Sequence, residues 1–330
     1  MSKSKEGVSG GGGFEDIELG DPSFHRLSFI PNLIPIKTMY GVVKVFKEGA
    51  DLSPKRPVII TYHDIGLNGS SNFRSFFNHH DVQPILIKFS VIHINAPGQE
   101  DKGARYSDDL HYPTMDQMAD QIGAICKHFE INHFIGLGTG AGANILSRFA
   151  LRYPDFVDGL FLIDCTSTVA SWSEWGYQNL NIHYLKNLDA SGLGSLIPVA
   201  VSDYLLWHHF GTIDENRNQD LIFQLRSYFS EKNIHPHNLA LFISSFLART
   251  DLGLVRGSDK QSFQCPVLLL TSFHSPHIED TVYMNSRLNP QQSQWMKLSD
   301  CGMPLEEQPG KVAEALRLFI QGLGYSLKAN

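Results

Sequence analysis

The stretch between residues 133 and 142 restricts the fold of this 330-residue chain more than any other. It begins with the apolar residues Phe134 and Ile135 and then places a glycine at every second position from 136 to 142. Helix-compatible residues follow as far as Tyr153. Glycines between a strand and a helix let the chain turn sharply and let the helix pack close to the sheet. The stretch therefore predicts a buried strand that turns directly into a helix.

An alternation of strands and helices continues on both sides of this turn. Apolar runs typical of buried parallel strands lie at 57–62, 89–94, 159–164 and 265–271. After Thr114 the apolar residues recur at helical spacing, and a further helix is expected from Pro309. Such alternation predicts an α/β fold with a mostly parallel central sheet and helices on both faces.

The patterns divide the chain into a leader, a core and an insertion. Residues 1–37 combine four consecutive glycines with scattered prolines and lack steady periodicity, so we interpret them as a flexible N-terminal leader. Residues 38–169 and 252–330 are expected to form the α/β core. Between 170 and 251 the strand signal stops, and aromatic residues and leucines recur at helix-compatible intervals. We interpret this segment as an inserted helical cap.

Composition and charge exclude several classes of partner. The net charge is −7 and the basic residues are dispersed, which argues against nucleic acid as a partner, because nucleic-acid binding usually needs a basic stripe. No apolar run is long enough to span a bilayer, and the N-terminus lacks the apolar core of a signal peptide. We therefore expect a cytoplasmic protein without a membrane span.

Neither a metal nor a cofactor is expected from the sequence. The four cysteines stand far apart without a C-x-x-C pair, which argues against a zinc site. Two histidine pairs, at 79–80 and 208–209, are the other candidate ligands. Neighbouring residues on a helix do not face each other, and no third ligand is suitably spaced. We interpret these histidines as solvated or interfacial.

Several stretches of the chain match, in order, the sequence pattern of a known family. They are Pro57–Asn68, Asn95–Gly98, Met115–Gln121, Gly136–Leu146, Asn285–Pro290, Gln308–Lys311 and Phe319–Tyr325. On these stretches the chain, from about residue 40 to residue 326, resembles the N-myc downstream-regulated (NDRG) family. The resemblance implies an α/β-hydrolase fold without established catalytic activity. It also implies a role in cytoplasmic signalling, stress response, differentiation or trafficking, exercised through protein partners.

The glycine-rich turn bears directly on catalysis. In the α/β-hydrolase fold the nucleophile stands at the centre of a G-x-S-x-G turn between a strand and a helix. That frame fits Gly136, Leu137, Gly138, Thr139 and Gly140. Gly138 then occupies the nucleophile position and has no side chain with which to attack a substrate. The turn is predicted to be a vestigial nucleophile elbow.

Other parts of a hydrolase site can also be located along the chain. The backbone N–H of Thr139 and one from the loop at His63 and Asp64 are expected to be vestigial oxyanion donors, and these side chains to line the old pocket. The slot for the acid, after the strand that ends near Thr271, holds Ser275 and no carboxylate. The slot for the base holds Met303, and no histidine follows His277.

With nucleophile and base both missing, the sequence predicts a pseudo-hydrolase that is not an enzyme. Three alternatives remain open. A divergent hydrolase could use Thr139 as a displaced nucleophile or His63 and Asp64 as an acid/base pair, although a histidine bonded to backbone in a tight turn is the preferred interpretation. A sensor could bind a small ligand in the vestigial pocket. A nucleotide-dependent enzyme could use the G-x-G-x-x-A pattern at 136–141 together with Asp164.

Overall fold

The computed structural model describes residues 31–191 and 196–327 of the chain, and an eight-stranded sheet forms its centre. The strands are β1 Ile34–Thr38, β2 Gly41–Gly49, β3 Val58–Tyr62, β4 Ser90–Asn95, β5 Phe134–Thr139, β6 Val157–Ile163, β7 Val267–Ser272 and β8 Ser293–Leu298. Their spatial order is β1-β2-β4-β3-β5-β6-β7-β8. The pairs β1–β2 and β2–β4 are antiparallel and the other pairs are parallel, which confirms the predicted mostly parallel sheet.

Helices cover both faces of this sheet. In chain order the α-helices of the described residues, including those inserted between β6 and β7, are α1 Gly69–Asn78, α2 Gln83–Lys88, α3 Met115–His128, α4 Gly140–Arg152, α5 Trp172–Ser191, α6 Val199–Phe210, α7 Gln219–Ser230, α8 Pro236–Leu247, α9 Ile278–Arg287, α10 Pro304–Glu307 and α11 Pro309–Gly322. Successive strand residues point to opposite faces, so Ile60 packs in the core with α3 and α4 while Ile59 packs in the core with α1 and α11. The α/β-hydrolase architecture is confirmed.

Two local expectations can be compared directly with the structure. Thr114 begins α3 in a capping box, accepting from the Gln117 N–H while the Gln117 side chain accepts from the Thr114 N–H. Residues 34–37, assigned to the leader, belong instead to strand β1, and this boundary was wrong. The strand was hidden in the sequence by Pro35, which an edge strand tolerates because one side of its backbone has no partner strand. Residues 1–30 of the predicted leader lie outside the described residues.

The described part of the segment between β6 and β7 contains helices α5 to α8, which we call the insertion helices. The buried guanidinium of Arg249 holds their base to the core. It donates to both carboxylate oxygens of Glu174 at 2.7 Å and to the carbonyl of Thr168 at 2.9 Å. Because the charge is paired and its hydrogen bonds are made, its burial is tolerated.

Among the residues described, no helix has both the length and the apolar composition needed to cross a bilayer. The loops that follow β3, β5, β6 and β7 all leave the same edge of the sheet, since these strands are parallel. In open α/β sheets, functional residues gather at this carboxyl edge.

Candidate functional site

The sharp turn after β5 lies at Gly140, two residues later than predicted. Gly138 is an ordinary residue of the sheet, paired with Tyr62 of β3 and Leu162 of β6. Gly140 has a φ of +46° and is the first residue of α4. The elbow frame is therefore Gly138-Thr139-Gly140-Ala141-Gly142, and the assignment of Gly136–Gly140 with Gly138 at its centre was wrong. Glycines at every second position satisfy the G-x-x-x-G spacing twice, so the sequence alone did not discriminate between the two frames.

The space beside Gly140 is filled by the carboxylate of Asp64. A Cβ atom built on Gly140 would lie 2.1 Å from the Asp64 Cγ and 2.2 Å from each carboxylate oxygen. A serine nucleophile in a hydrolase would project its side chain into this space. The nucleophile position thus lacks a side chain, and a carboxylate from the loop at residues 63–68, which we call the β3 loop, takes the vacated volume.

The same carboxylate binds the two backbone groups that would stabilise an oxyanion. Its Oδ1 accepts the Ile65 N–H at 2.7 Å and the Ala141 N–H at 2.9 Å. In active hydrolases of this fold, the oxyanion hole consists of the N–H after the nucleophile and an N–H from the loop after β3. With the elbow at Gly140, these are the groups of Ala141 and Ile65. Choosing the Thr139 N–H as a donor was an error that followed from the misplaced frame.

Thr139 is held by its side chain. Its Oγ1 donates to Asn72 Oδ1 at 2.5 Å, and the same amide oxygen accepts the Asp64 N–H at 2.9 Å. Thr139 lines the cavity, but its hydroxyl lies one residue before the turn and is engaged by Asn72. This arrangement does not favour Thr139 as a displaced nucleophile.

His63 supports the β3 loop and does not line the cavity, so its assignment to the pocket was wrong. Its Nδ1–H donates to the carbonyl of Asp64 at 2.8 Å, and its Nε2 accepts the Ala96 N–H at 2.9 Å. These two backbone partners fix the neutral tautomer with the proton on Nδ1. Burial lowers the pKa of His63 to about 4, because the charged form would lose its solvation. The preferred interpretation, a histidine bonded to backbone, is confirmed.

Two histidines from the insertion helices reach the free oxygen of Asp64. His208 Nε2 lies 2.9 Å from Asp64 Oδ2, and His209 Nδ1 lies 3.8 Å from the same atom. Both imidazoles are buried, so their interpretation as solvated or interfacial was wrong. Two consecutive helical residues can approach the same oxygen here because His208 uses Nε2, which is far from its backbone, and His209 uses Nδ1, which is closer to its backbone.

Electrostatics at this point favour an ionised Asp64 beside a neutral His209. Burial alone would raise the pKa of the Asp64 carboxyl, but the His208 side chain and the Ala141 N–H together hold it well below its usual range. Burial lowers the pKa of His209 to about 3, and the neighbouring His208 acts in the same direction. His209 Nε2–H donates to the carbonyl of Ile65 at 3.1 Å, which leaves its Nδ1 as a lone pair.

A third histidine extends the cluster towards the loop after β7. His277 Nε2 lies 3.3 Å from His208 Nδ1, and His277 Nδ1 lies 3.7 Å from an Asp280 oxygen. Burial opposes the charged form of His277, but the neighbouring carboxylate of Asp280 and those of Asp164 and Asp64 raise its pKa. Asp280, His277, His208 and Asp64 thus form a continuous chain of acidic and imidazole groups that the sequence did not reveal.

Asp164, at the end of β6, has a different role from the ribose contact considered above. Its carboxylate accepts the Thr271 hydroxyl at 2.7 Å, and burial raises its pKa. The glycine turn lies between the fifth strand of the chain and α4, whereas a dinucleotide-binding fold carries it in its first β-α unit. The nucleotide alternative therefore loses its structural basis.

The two degenerate catalytic slots hold Ser275 and Met303. Ser275 forms a turn in which its Oγ accepts the His277 N–H at 3.1 Å. Met303 lines the cavity, and its N–H donates to Glu307 at 2.7 Å. The loop expected to hold the base therefore offers no proton acceptor to the cavity, while imidazoles enter from α6 and from the loop before α9.

The cavity between these groups is small. Its volume is about 30 Å³, and its lining includes Asp64, Thr139, His208, His209, His277 and Met303. A ligand pocket for a small molecule usually measures about 300–1,000 Å³. This cavity offers space for one or two water molecules or an ion, but not for a metabolite.

Two groups of side chains in the described part of the chain place three candidate metal ligands close together. One is Asp64, His208 and His209, whose ligand atoms all lie within 4.8 Å of one another and are buried. The other is His79, His80 and Asp81, at the surface before α2. The first group overturns the expectation that no third ligand stands near His208 and His209.

Comparisons with known proteins agree with this geometry. A model of the Ndr family matches residues 34–327. Protein NDRG3 of Xenopus laevis is 38% identical over 94% of this chain and 80% of its own length. Protein NDRG2 of Bos taurus is 37% identical over 88% of this chain and 77% of its own length.

Solved structures share the fold at low sequence identity. A thermophilic esterase from Thermogutta terrifontis superposes with a TM-score of 0.68 at 18% identity, covering 89% of this chain and 99% of the esterase. An enol-lactonase from Burkholderia xenovorans LB400 gives a TM-score of 0.65 at 12% identity, covering 87% of this chain and 100% of the lactonase. At such identities the likeness extends to the fold alone.

Proposed function

Since the chain belongs to the Ndr family, we propose that it is a non-catalytic α/β-hydrolase-fold protein that acts through protein partners. Its proposed setting is cytoplasmic signalling, stress response, differentiation or trafficking. The observation that carries the proposal is the position of the Asp64 carboxylate, which fills the nucleophile space beside Gly140 and binds both oxyanion donors.

A site whose nucleophile space is filled and whose oxyanion donors are occupied is expected to be less active than a site that lacks only its catalytic triad. Hydrolases without their triad still accelerate hydrolysis about 10³ to 10⁴-fold over water, because the oxyanion hole and substrate binding remain. Here the hole is occupied by an internal anion, which would repel a developing oxyanion. His208 and His277 supply imidazoles, but a general base accelerates an attack only when a nucleophile stands beside it. The small cavity also weighs against the sensor alternative.

An assay of ester hydrolysis tests this part of the proposal. We expect purified protein to hydrolyse p-nitrophenyl acetate and p-nitrophenyl butyrate no faster than buffer and no faster than a His208→Ala variant. Any hydrolysis by exposed histidines would persist in that variant, so the comparison isolates the buried cluster. A wild-type rate at least tenfold above that of His208→Ala would contradict the proposal.

The surface of the insertion helices supports the partner-binding part. Three of the four tryptophans of the chain are exposed there: Trp172 at 90%, Trp175 at 53% and Trp207 at 44%. The rings of Trp172 and Trp175 lie 6.4 Å apart. Tyr177, exposed at 62%, contacts Tyr204, whose ring lies 5.5 Å from that of Trp207. Exposed tryptophan and tyrosine clusters are typical of the energetic centres of protein interfaces. We call this set the aromatic face.

Comparative affinity capture tests the role of the aromatic face. The double variant Trp172→Ser/Trp175→Ser is expected to keep the wild-type unfolding temperature, because both rings are largely solvated. The amount of partner that it captures is expected to be at least tenfold lower than the amount captured by the wild type. The matched control is Trp295→Ser, which removes a similarly exposed tryptophan from β8 on the core. Partners retained equally by wild type, control and double variant would place the binding surface elsewhere.

A further inference from the structure

We propose that Asp64, His208 and His209 form a binding site for a divalent transition-metal ion, with Zn²⁺ as the fitting ion. Two imidazole nitrogens and one carboxylate oxygen are a ligand set that zinc accepts, with a fourth position left for water. Imidazole ligands disfavour Ca²⁺ and Mg²⁺, which prefer oxygen. The three residues come from two distant parts of the chain, the β3 loop and α6.

The hydrogen bond of His209 leaves its other ring nitrogen available to an ion. The carbonyl of Ile65 can only accept, so His209 Nε2 is the donor in their 3.1 Å contact. His209 Nδ1 lies 3.8 Å from Asp64 Oδ2, which is too long for a direct hydrogen bond between them. A divalent ion between these two atoms would displace any proton there and pair with the buried carboxylate.

The spacing of the ligand atoms suits such a cation. Zinc bonds of about 2.0–2.1 Å in tetrahedral geometry place neighbouring ligand atoms about 3.4 Å apart. Asp64 Oδ2 lies 2.9 Å from His208 Nε2 and 3.8 Å from His209 Nδ1, on either side of that value. Small rotations of the two rings would equalise the distances. The adjoining cavity of about 30 Å³ has space for a metal-bound water.

Each proposed ligand already has the supporting hydrogen bond that a metal ligand normally has. Asp64 Oδ1 is held by the N–H groups of Ile65 and Ala141, which leaves Oδ2 for the ion. His209 is oriented by the Ile65 carbonyl. His208 Nδ1 lies 3.3 Å from His277 Nε2, and His277 approaches Asp280. Such second partners fix the tautomer and orientation of ligating histidines.

An ion at this position would link the insertion helices to the core. Asp64 belongs to the β3 loop and contacts the start of α4, whereas both histidines lie in the last turn of α6. Binding of the ion would therefore stabilise the packing of α6 on the carboxyl edge of the sheet, in addition to the contacts made by Arg249.

Titration calorimetry of the full chain, freed of metal by EDTA and dialysis, tests the site with ZnCl₂ as the probe. We expect one high-affinity ion per chain and a higher unfolding temperature in its presence. His208→Ala and His209→Ala are each expected to weaken the binding at least 100-fold. His277→Gln leaves all three ligands in place and is expected to weaken it by about 10- to 100-fold.

The surface group supplies the matched control. His79→Ala/His80→Ala removes two candidate ligands of the exposed cluster and is expected to leave the high-affinity binding unchanged. Loss of binding in this variant, or unchanged binding in His208→Ala and His209→Ala, would overturn the proposal. Absence of stoichiometric binding to the wild type would overturn it as well.

Absorption spectroscopy of the wild type with Co²⁺ tests the site even if a ligand variant does not fold. Co²⁺ bound by two imidazoles, a carboxylate and water in a tetrahedral site gives intense visible absorption, whereas hexahydrated Co²⁺ absorbs weakly. We expect the intense spectrum at one equivalent of Co²⁺ and its displacement by Zn²⁺. A spectrum that remains that of the hydrated ion would contradict the site.

Discussion

Restoring a serine at the elbow, Gly140→Ser, is expected to lower the free energy of unfolding by about 3 kcal/mol and to create no esterase. The new Cβ would lie 2.1 Å from the Asp64 Cγ, so the β3 loop would have to move. Overpacking of this kind costs about 1–3 kcal/mol, and a non-glycine residue at a φ of +46° adds roughly 1 kcal/mol. Urea unfolding of the variant and the wild type measures the difference.

A double-mutant cycle with Asp64→Ala assigns this loss to the carboxylate. Alanine at position 64 removes the atoms that a serine at position 140 would overlap, so the two substitutions together should cost about 1–3 kcal/mol less than the sum of their separate effects. Gly322→Ser is the matched control, because a Cβ on Gly322 would meet no atom within 4 Å. We expect that control to change stability by less than about 1 kcal/mol. Additivity of the cycle to within about 0.5 kcal/mol would exclude the clash as the cause.

Acidification between pH 7 and pH 4 is expected to destabilise the protein by about 3 kcal/mol through His63 alone. Its pKa in the folded chain is about 4, against about 6.5 when it is exposed. Above pH 6.5 the imidazole is neutral in both states and its contribution to stability is complete. Below pH 6.5 the unfolded chain binds a proton that the folded chain cannot accept, because Ala96 N–H occupies Nε2. The free energy of unfolding therefore falls as the pH approaches 4.

Chemical unfolding at pH 7, 5.5 and 4 tests this expectation with His63→Gln, which removes the titrating group. The stability difference between wild type and variant should shrink by about 3 kcal/mol on going from pH 7 to pH 4. Ile65→Val serves as the control, since it removes one carbon atom from a buried side chain of the same loop and adds no titrating group. Its pH dependence should match that of the wild type. A constant difference between wild type and His63→Gln would show that His63 is protonated in the folded chain.

The fold could be predicted because its signals are local. The buried strands β3, β6 and β7 each contain several consecutive apolar residues, and α3 is marked by its capping Thr114 and one apolar stripe. The exception was β1, where Pro35 masks the alternation and the supporting information lies in the partner strand β2. This segment is a strand because it pairs with β2, which follows after a two-residue turn, and the pattern of β1 alone does not show that pairing.

The site could be predicted only in part, because its chemistry depends on side chains from four separate segments. That a glycine stands at the centre of the elbow followed from the sequence alone, but the position of the turn required the φ of Gly140. His208 and Asp64 are 144 residues apart, and no sequence period relates them. The adjacent pair His208-His209 was a visible signal, and it was misjudged because the two imidazoles use different nitrogens.

The carboxylate of Asp64 also limits which single substitutions this site can tolerate. A mutation that restores a side chain at position 140 first meets an occupied space. A mutation that first removes the carboxylate leaves the buried N–H groups of Ile65 and Ala141 without a partner, which costs about 1–3 kcal/mol each. Either single substitution is therefore expected to destabilise the fold without producing hydrolysis. A catalytic variant of this chain would need both positions changed together, in addition to a base beside the new nucleophile.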